Sequence, residues 1–233
     1  MYKKGNKAAD AFTLVKLDCW EDMAYNVFGN PITNSTLEGM PEYASKAIRR
    51  IDRAHVALNM KNAEKKDVNA REYVENLKRR WGVGVSTLCL VYNATGDTVT
   101  FVTSYDWWGH IGPAPFPQQI ANGQWGAFLH VKTSGTATGS TAAVVNRGKN
   151  DAGDYFDWML SWSNPWNRNA WDNTAYTDIR GAKQFVGIWD TVKAQLFNSG
   201  LHHSVTWKGC SSTVTTGSFT SPIFEGIMTL ENA

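Results

Sequence analysis

Cysteine is scarce in this chain: three among 233 residues, at Cys19, Cys89 and Cys210. An odd and widely spaced trio builds neither a disulfide framework nor a metal pair, so a reducing compartment is expected. No run approaches the ~18 consecutive apolar residues that a membrane-spanning helix needs. The apolar stretch over residues 11–15 is broken at once by Lys16 and Asp18, which makes a poor secretory signal. Together these absences point to a cytoplasmic protein. Net charge is small as well, +2 from 23 basic and 21 acidic residues, too little by itself to imply nucleic acid or an anionic membrane.

Signatures of catalysis are missing too. The chain holds no HExxH, CxxC or GxSxG motif, and Gly82-Val83-Gly84 lacks the third glycine and the following helix of a phosphate loop. His202-His203, beside Gly200 and Leu201, reads as a surface loop pair. His55 and His130 fall inside expected elements without partner motifs and read as structural. Asp154 and Asp157 lie three apart on one expected strand, so they face opposite ways and cannot cooperate. No catalytic residue, metal ligand or cofactor is assigned, and the chain reads as a non-enzyme. The basic runs Lys46-Ala47-Ile48-Arg49-Arg50 and Lys78-Arg79-Arg80 read as solvated helix faces.

What the chain does have is tryptophan, eleven in all. Four crowd into residues 155–171. On a strand, Phe156, Trp158, Leu160 and Trp162 share one face and point inward. Asn164-Pro165 ends that strand, and it also rules against the helix that the four-residue spacing of Trp158, Trp162 and Trp166 would otherwise fit. Trp166 and Trp171 follow in a polar, Asn-rich loop. Two readings stay open for them: packing under the loop, or standing at a binding surface. A second group, Tyr105-Asp106-Trp107-Trp108-Gly109-His110, ends an early strand, and strand alternation turns Trp107 and Trp108 to opposite faces. An indole joins a large apolar face to one N–H donor, which suits a sugar ring or a lipid headgroup zone.

The coarse pattern divides the chain in three. Residues 1–40 lack sustained periodicity and read as an arm, partly disordered before Met23, with residues 1–22 an extension outside the folded unit. Residues 41–81 form a helical region, with helices from Pro41 to about Leu58 and over 69–81. Residues 82–233 carry short β-branched runs separated by Gly-containing turns. Strands are expected over 83–92, 98–103, 125–132, 142–147, 154–163, 175–179, 211–219 and 223–230, the first two as a hairpin. One helix, over 182–197, interrupts them. The predicted architecture is mainly β: an antiparallel β-sandwich with flanking helices.

At Ser163-Asn164-Pro165-Trp166-Asn167-Arg168-Asn169-Ala170-Trp171-Asp172-Asn173 the chain resembles actinoporins, sandwich-fold cytolysins with a Ser-x-Pro-aromatic motif followed by Asn-rich positions. From Met23 onward it looks more like the small jasmonate-induced proteins of plants, on segments such as Asn26-Val27-Phe28-Gly29 and Val83-Gly84-Val85-Ser86-Thr87-Leu88-Cys89. The first likeness implies an actinoporin-like sandwich with a lipid-headgroup pocket at Ser163, Pro165 and Trp171, with Trp189 where a family tyrosine lies, and it implies cytolysis. Two further pocket tyrosines are replaced by Lys193 and Ala194, which removes aromatic walls for choline. The second likeness implies a role in stress and defence.

The candidate ligand-binding residues are therefore Trp107, Trp108, Ser163, Pro165, Trp166, Asn167, Asn169, Trp171 and Trp189. The expected partner is a membrane lipid headgroup. The alternative is a lectin-like protein in which the indoles stack on a sugar and Asn167, Asn169 and Asn173 read its hydroxyls.

Overall fold

The computed structural model of the chain describes residues 26–233. The expected extension over residues 1–22 lies outside them. Twelve strands and four α-helices follow in the order β1 (Val27–Phe28), α1 (Asn34–Glu38), α2 (Arg50–Asn59), α3 (Lys66–Trp81), β2 (Ser86–Ala94), β3 (Val99–Trp108), β4 (His110–Ile111), β5 (Gln119–Ile120), β6 (Trp125–Val131), β7 (Ser140–Lys149), β8 (Tyr155–Asn164), β9 (Thr174–Gly181), α4 (Trp189–Phe197), β10 (His202–Trp207), β11 (Cys210–Thr216) and β12 (Ile223–Leu230). They form two sheets. The larger runs β1-β6-β2-β12-β11-β10, with β4 also on β6, and the smaller runs β5-β3-β7-β8-β9. Every pairing is antiparallel except that of β2 with β12, which is parallel.

The layers follow from side-chain alternation. On β2, Cys89 and Val91 face the smaller sheet, where they meet Trp158, Leu160 and Trp162 of β8 in the central core. Leu88, Leu90 and Tyr92 face the other way, onto Val74 and Leu77 of α3 and Val56 and Ala57 of α2. All nine residues of β2 are consequently buried. Buried rings on this face are tied to the helical layer by their polar ends: the Tyr92 hydroxyl donates to the Ala57 carbonyl at 2.6 Å, and Trp125 Nε1 to that of Lys61 at 2.8 Å. A third cluster, with Val145, Met159, Phe185 and Val192, packs α4 on the outer face of the smaller sheet. The order through the molecule is helices, sheet, sheet, helix.

Several expectations need correction. Strands 83–92 and 98–103 are no hairpin: β2 and β3 belong to different sheets. The turn between them is a corner crossing the sandwich edge, where the Asn93 side chain donates to the carbonyls of Asp97 and Ile120. With both faces of β2 covered, its neighbours come from β6 and β12 rather than from the next run of sequence. The helix expected over 182–197 begins only at Trp189, because Gly187 takes φ +85°, outside helical geometry. His202 and His203 are not in a loop but open β10, paired with Thr215 and Val214. Residues 26–40, in the stretch read as an arm, contribute β1 to the larger sheet and bury Ile32 and Leu37 against the helical layer. The interior positions of Phe156, Trp158, Leu160 and Trp162 agree with the alternation argument.

Candidate functional site

Pro165 ends β8 at one end of the sandwich, and the chain then turns over residues 165–173 before β9 begins. The turn is closed by backbone bonds from Ala170 and Trp171 to the Asn167 carbonyl, and the Asn167 side chain accepts from the Asn169 amide. Trp166 is 54% and Trp171 66% exposed, so neither ring packs beneath the loop. Beside them opens a cleft of about 610 Å³. Its aromatic walls are Trp108, Trp166, Trp171 and Phe197, and its polar lining includes Ser163, Asp172 and Thr174. Clefts of this size, apolar with a few polar groups, are typical small-ligand sites.

Below the rim the polar groups are fixed. The Ser163 hydroxyl lies 3.2 Å from that of Thr141 on the neighbouring strand. Thr174, only 6% exposed, has its Oγ1 buried without any hydrogen-bond partner among the described residues. An unsatisfied buried hydroxyl costs about 1–3 kcal/mol, which a bound acceptor or donor would recover. Lys193 of α4 holds its ammonium 4.5 Å from the centroid of Trp108 and 5.7 Å from that of Phe197, and these two rings are stacked. A cation therefore sits over the aromatic wall already.

The structure brings Trp108, Ser163, Pro165, Trp166, Asn167 and Trp171 together around this cleft. Trp107, Trp189 and Asn169 are not among its lining residues. Trp107 and Trp189 instead form a separate aromatic group with Tyr105, in which Tyr105 stacks on Trp189 at 5.0 Å and Trp107 meets it edge-on at 6.3 Å. Alternation misjudged this pair of tryptophans. A register shift between Asp106 and Trp108 bends β3, so that both Trp107 and Trp108 reach α4.

A chain of polar groups that could be mistaken for a catalytic site runs through the interior. His130 Nδ1 lies 2.8 Å from Ser140 Oγ, and its Nε2 lies 3.1 Å from Asp106 Oδ1. Ser140 also meets the Thr87 hydroxyl at 2.7 Å and accepts from Trp162 Nε1 at 3.3 Å. Both Ser140 and His130 are fully buried, so no substrate reaches the hydroxyl. Burial lowers the His130 pKa, against the opposing pull of Asp106. The neutral imidazole then links β6 of one sheet to β3 and β7 of the other. The two cysteines among the described residues are equally enclosed: burial pushes the Cys89 thiol well up and that of Cys210 up to about 12. Among the described residues, no three His, Cys, Asp or Glu side chains are grouped to hold a metal, and no helix is long and apolar enough to cross a membrane.

A family described as Nakanori-like protein matches residues 28–231, from β1 to just past β12. The chain belongs to the Nakanori-like family. It is 46% identical over 183 residues to the 23 kDa jasmonate-induced protein of Hordeum vulgare, covering 77% of this chain and 85% of that protein. A jasmonate-induced protein homolog from Atriplex canescens is 32% identical over 146 residues, covering 60% and 76%. The crystal structure of the lipid binding protein Nakanori superposes with a TM-score of 0.80 at 32% identity, over 87% of this chain and 98% of that one. The plant jasmonate-induced family expected from the sequence is thereby established, and so is the sandwich. Within this Nakanori-like fold, Gly139, Thr174 and Phe197 join the cleft although no motif marked them. Phe197 was legible only as a helix end, and Gly139 sits in a Thr- and Gly-rich link without periodicity.

Proposed function

We propose that this chain is a non-enzymatic, jasmonate-responsive plant protein of the cytoplasm that binds membrane lipid headgroups in the Trp108–Trp166–Trp171 cleft. The observation that carries it is the pair of exposed indoles beside a cleft floored by the unpartnered Thr174 hydroxyl. Indoles are at home at the membrane–water interface. The solved relative described as lipid binding supports the same class of ligand. Lys193 already places an ammonium over the Trp108 ring, and this cation with the hydroxyls of Ser163 and Thr174 suits recognition of the headgroup phosphate.

Flotation with phosphatidylcholine–sphingomyelin vesicles tests this. Trp166→Ala/Trp171→Ala is expected to lower partitioning at least about tenfold, equivalent to ~1.4 kcal/mol, without changing the melting temperature. Unchanged flotation would remove the cleft from the mechanism. The lectin reading has its own support in the 66% exposure of Trp171 next to Asn167 and Asp172 at the rim. Saturable, sugar-competed binding on a glycan array, with no flotation, would favour it. Cytolysis would need α3 to leave the larger sheet, stripping Ala70, Val74 and Leu77 from their buried contacts. Flotation without release of trapped dye is therefore expected.

A further inference from the structure

The basic run Lys78-Arg79-Arg80 is not explained by the cleft. It forms the last turn of α3, and a cation there offsets the negative end of the helix dipole. Lys78 does that work, donating to the carbonyls of Gly82 and Gly84 at 2.8 Å each. Among the described residues, Arg79 reaches only Asn76 on its own helix. Arg80, exposed, meets no hydrogen-bond or ion-pair partner among the described residues. Three residues on stands Val83, 98% exposed.

This corner is bonded to the loop that carries another bare apolar side chain. Ser221 donates to the Gly84 carbonyl and meets the Ser86 hydroxyl at 3.0 Å. On the same 217–222 loop Phe219 is 72% exposed. The loop is in turn fastened to the tryptophan loop: Asn173 donates to the carbonyls of Gly217 and Phe219, Asn164 to that of Thr220, and Arg168 to that of Ser218. The end of α3, the 82–85 link, the 132–139 loop, the tryptophan loop and the 217–222 loop thus share one end of the molecule. Across them the charged residues are Lys78, Arg79, Arg80, Lys132 and Arg168 against the single carboxylate of Asp172.

We infer that this end is a second membrane contact, an edge that docks on anionic phospholipid through Arg79 and Arg80 while Val83 and Phe219 enter the interfacial layer. Cations beside bare apolar tips match a surface that is negative outside and apolar beneath. A nucleic acid would satisfy the arginines but leave Val83 and Phe219 in water. The inference rests on the reading of the chain as a membrane-binding protein, but it uses different residues from the headgroup cleft.

Vesicles of phosphatidylcholine alone, and with about one-fifth phosphatidylserine, separate the two contacts. The full-length protein is expected to partition at least about tenfold more strongly onto the anionic vesicles at low salt, with the gain lost at high salt. Arg79→Glu/Arg80→Glu should abolish that gain and leave binding to neutral vesicles intact. Val83→Ser/Phe219→Ser, at positions already in water, should weaken binding to both without altering the melting temperature. Trp166→Ala/Trp171→Ala should retain the gain. A charge-swapped variant that still prefers phosphatidylserine overturns the inference, as does wild-type protein with no preference. Wild-type binding to anionic vesicles alone, with none to neutral ones, would instead sink the headgroup cleft and spare this edge.

Discussion

His130 shows how much one buried side chain can fix. Its two ring nitrogens join Ser140 on one side and Asp106 on the other, bridging the two sheets. Burial lowers its pKa in the folded protein, and the Asp106 carboxylate resists that shift without reversing it, while His110 adds to it. Since the unfolded chain takes up the proton more readily, the stability from His130 is complete above its ordinary pKa of about 6.5. It is lost as pH falls through the lower folded value. A melting curve recorded from pH 7 down to about 5 should decline more steeply for the wild-type protein than for His130→Gln. Parallel curves would mean that the imidazole is not the titrating group. The Gln variant itself should lose about 1–3 kcal/mol in urea unfolding, from the polar partners left unsatisfied. Asp157 is a comparable anchor: 1% exposed, it accepts from Nε and Nη2 of the Arg147 guanidinium and from the Lys183 amide. Neither role was legible in the sequence, where Asp157 stood only as one of two carboxylates on a strand. Their partners come from other strands and, for Lys183, from the turn after β9.

Among the elements, the tryptophan loop depends on a residue outside it. A Cβ at Gly139 would overlap the Asn164 carbonyl oxygen and come within 2.8 Å of the Pro165 Cα. Both obstacles are backbone, so neither can swing aside. Gly139→Ala is expected to cost about 1–3 kcal/mol by urea unfolding and to displace the start of the loop, lowering vesicle partitioning together with stability. Wild-type values for both would mean that the strand end adjusts freely. The sequence disclosed the loop itself, because Asn164-Pro165 must stop a strand and the following residues are too polar to be buried. It also disclosed the inward face of β8. What it hid was the partnering of elements. The turn at residues 93–97 has hairpin composition, yet it joins two sheets, since a strand buried on both faces takes its neighbours from wherever the fold supplies them. The bend at Asp106–Trp108 was equally invisible, and with it the shared approach of Trp107 and Trp108 to α4.

For the whole molecule, the helices and the sandwich share one buried layer. The outer face of the larger sheet presents Leu88, Leu90, Tyr92, Trp125 and Leu129, and α2 and α3 cover it. A fragment of residues 83–233 would leave that face in water, an apolar patch well above the few hundred Å² usual for a monomer. It is expected to aggregate, or to bind a hydrophobic dye strongly. A soluble fragment with a sharp melting transition would show that the sandwich stands alone.

The parallel pairing of β2 with β12 sets an order on assembly. β2 is among the first strands to be synthesised, yet one of its flanks stays open until β12 arrives; the nearby Ser86–Ser221 bond joins residues 135 apart. At translation rates of about 5–20 residues per second, an emerging chain spends about 7–27 seconds with an unpaired strand flank at its centre. The flank is equally exposed throughout that interval, so a nascent chain needs shielding from the emergence of β2 until β12 pairs with it.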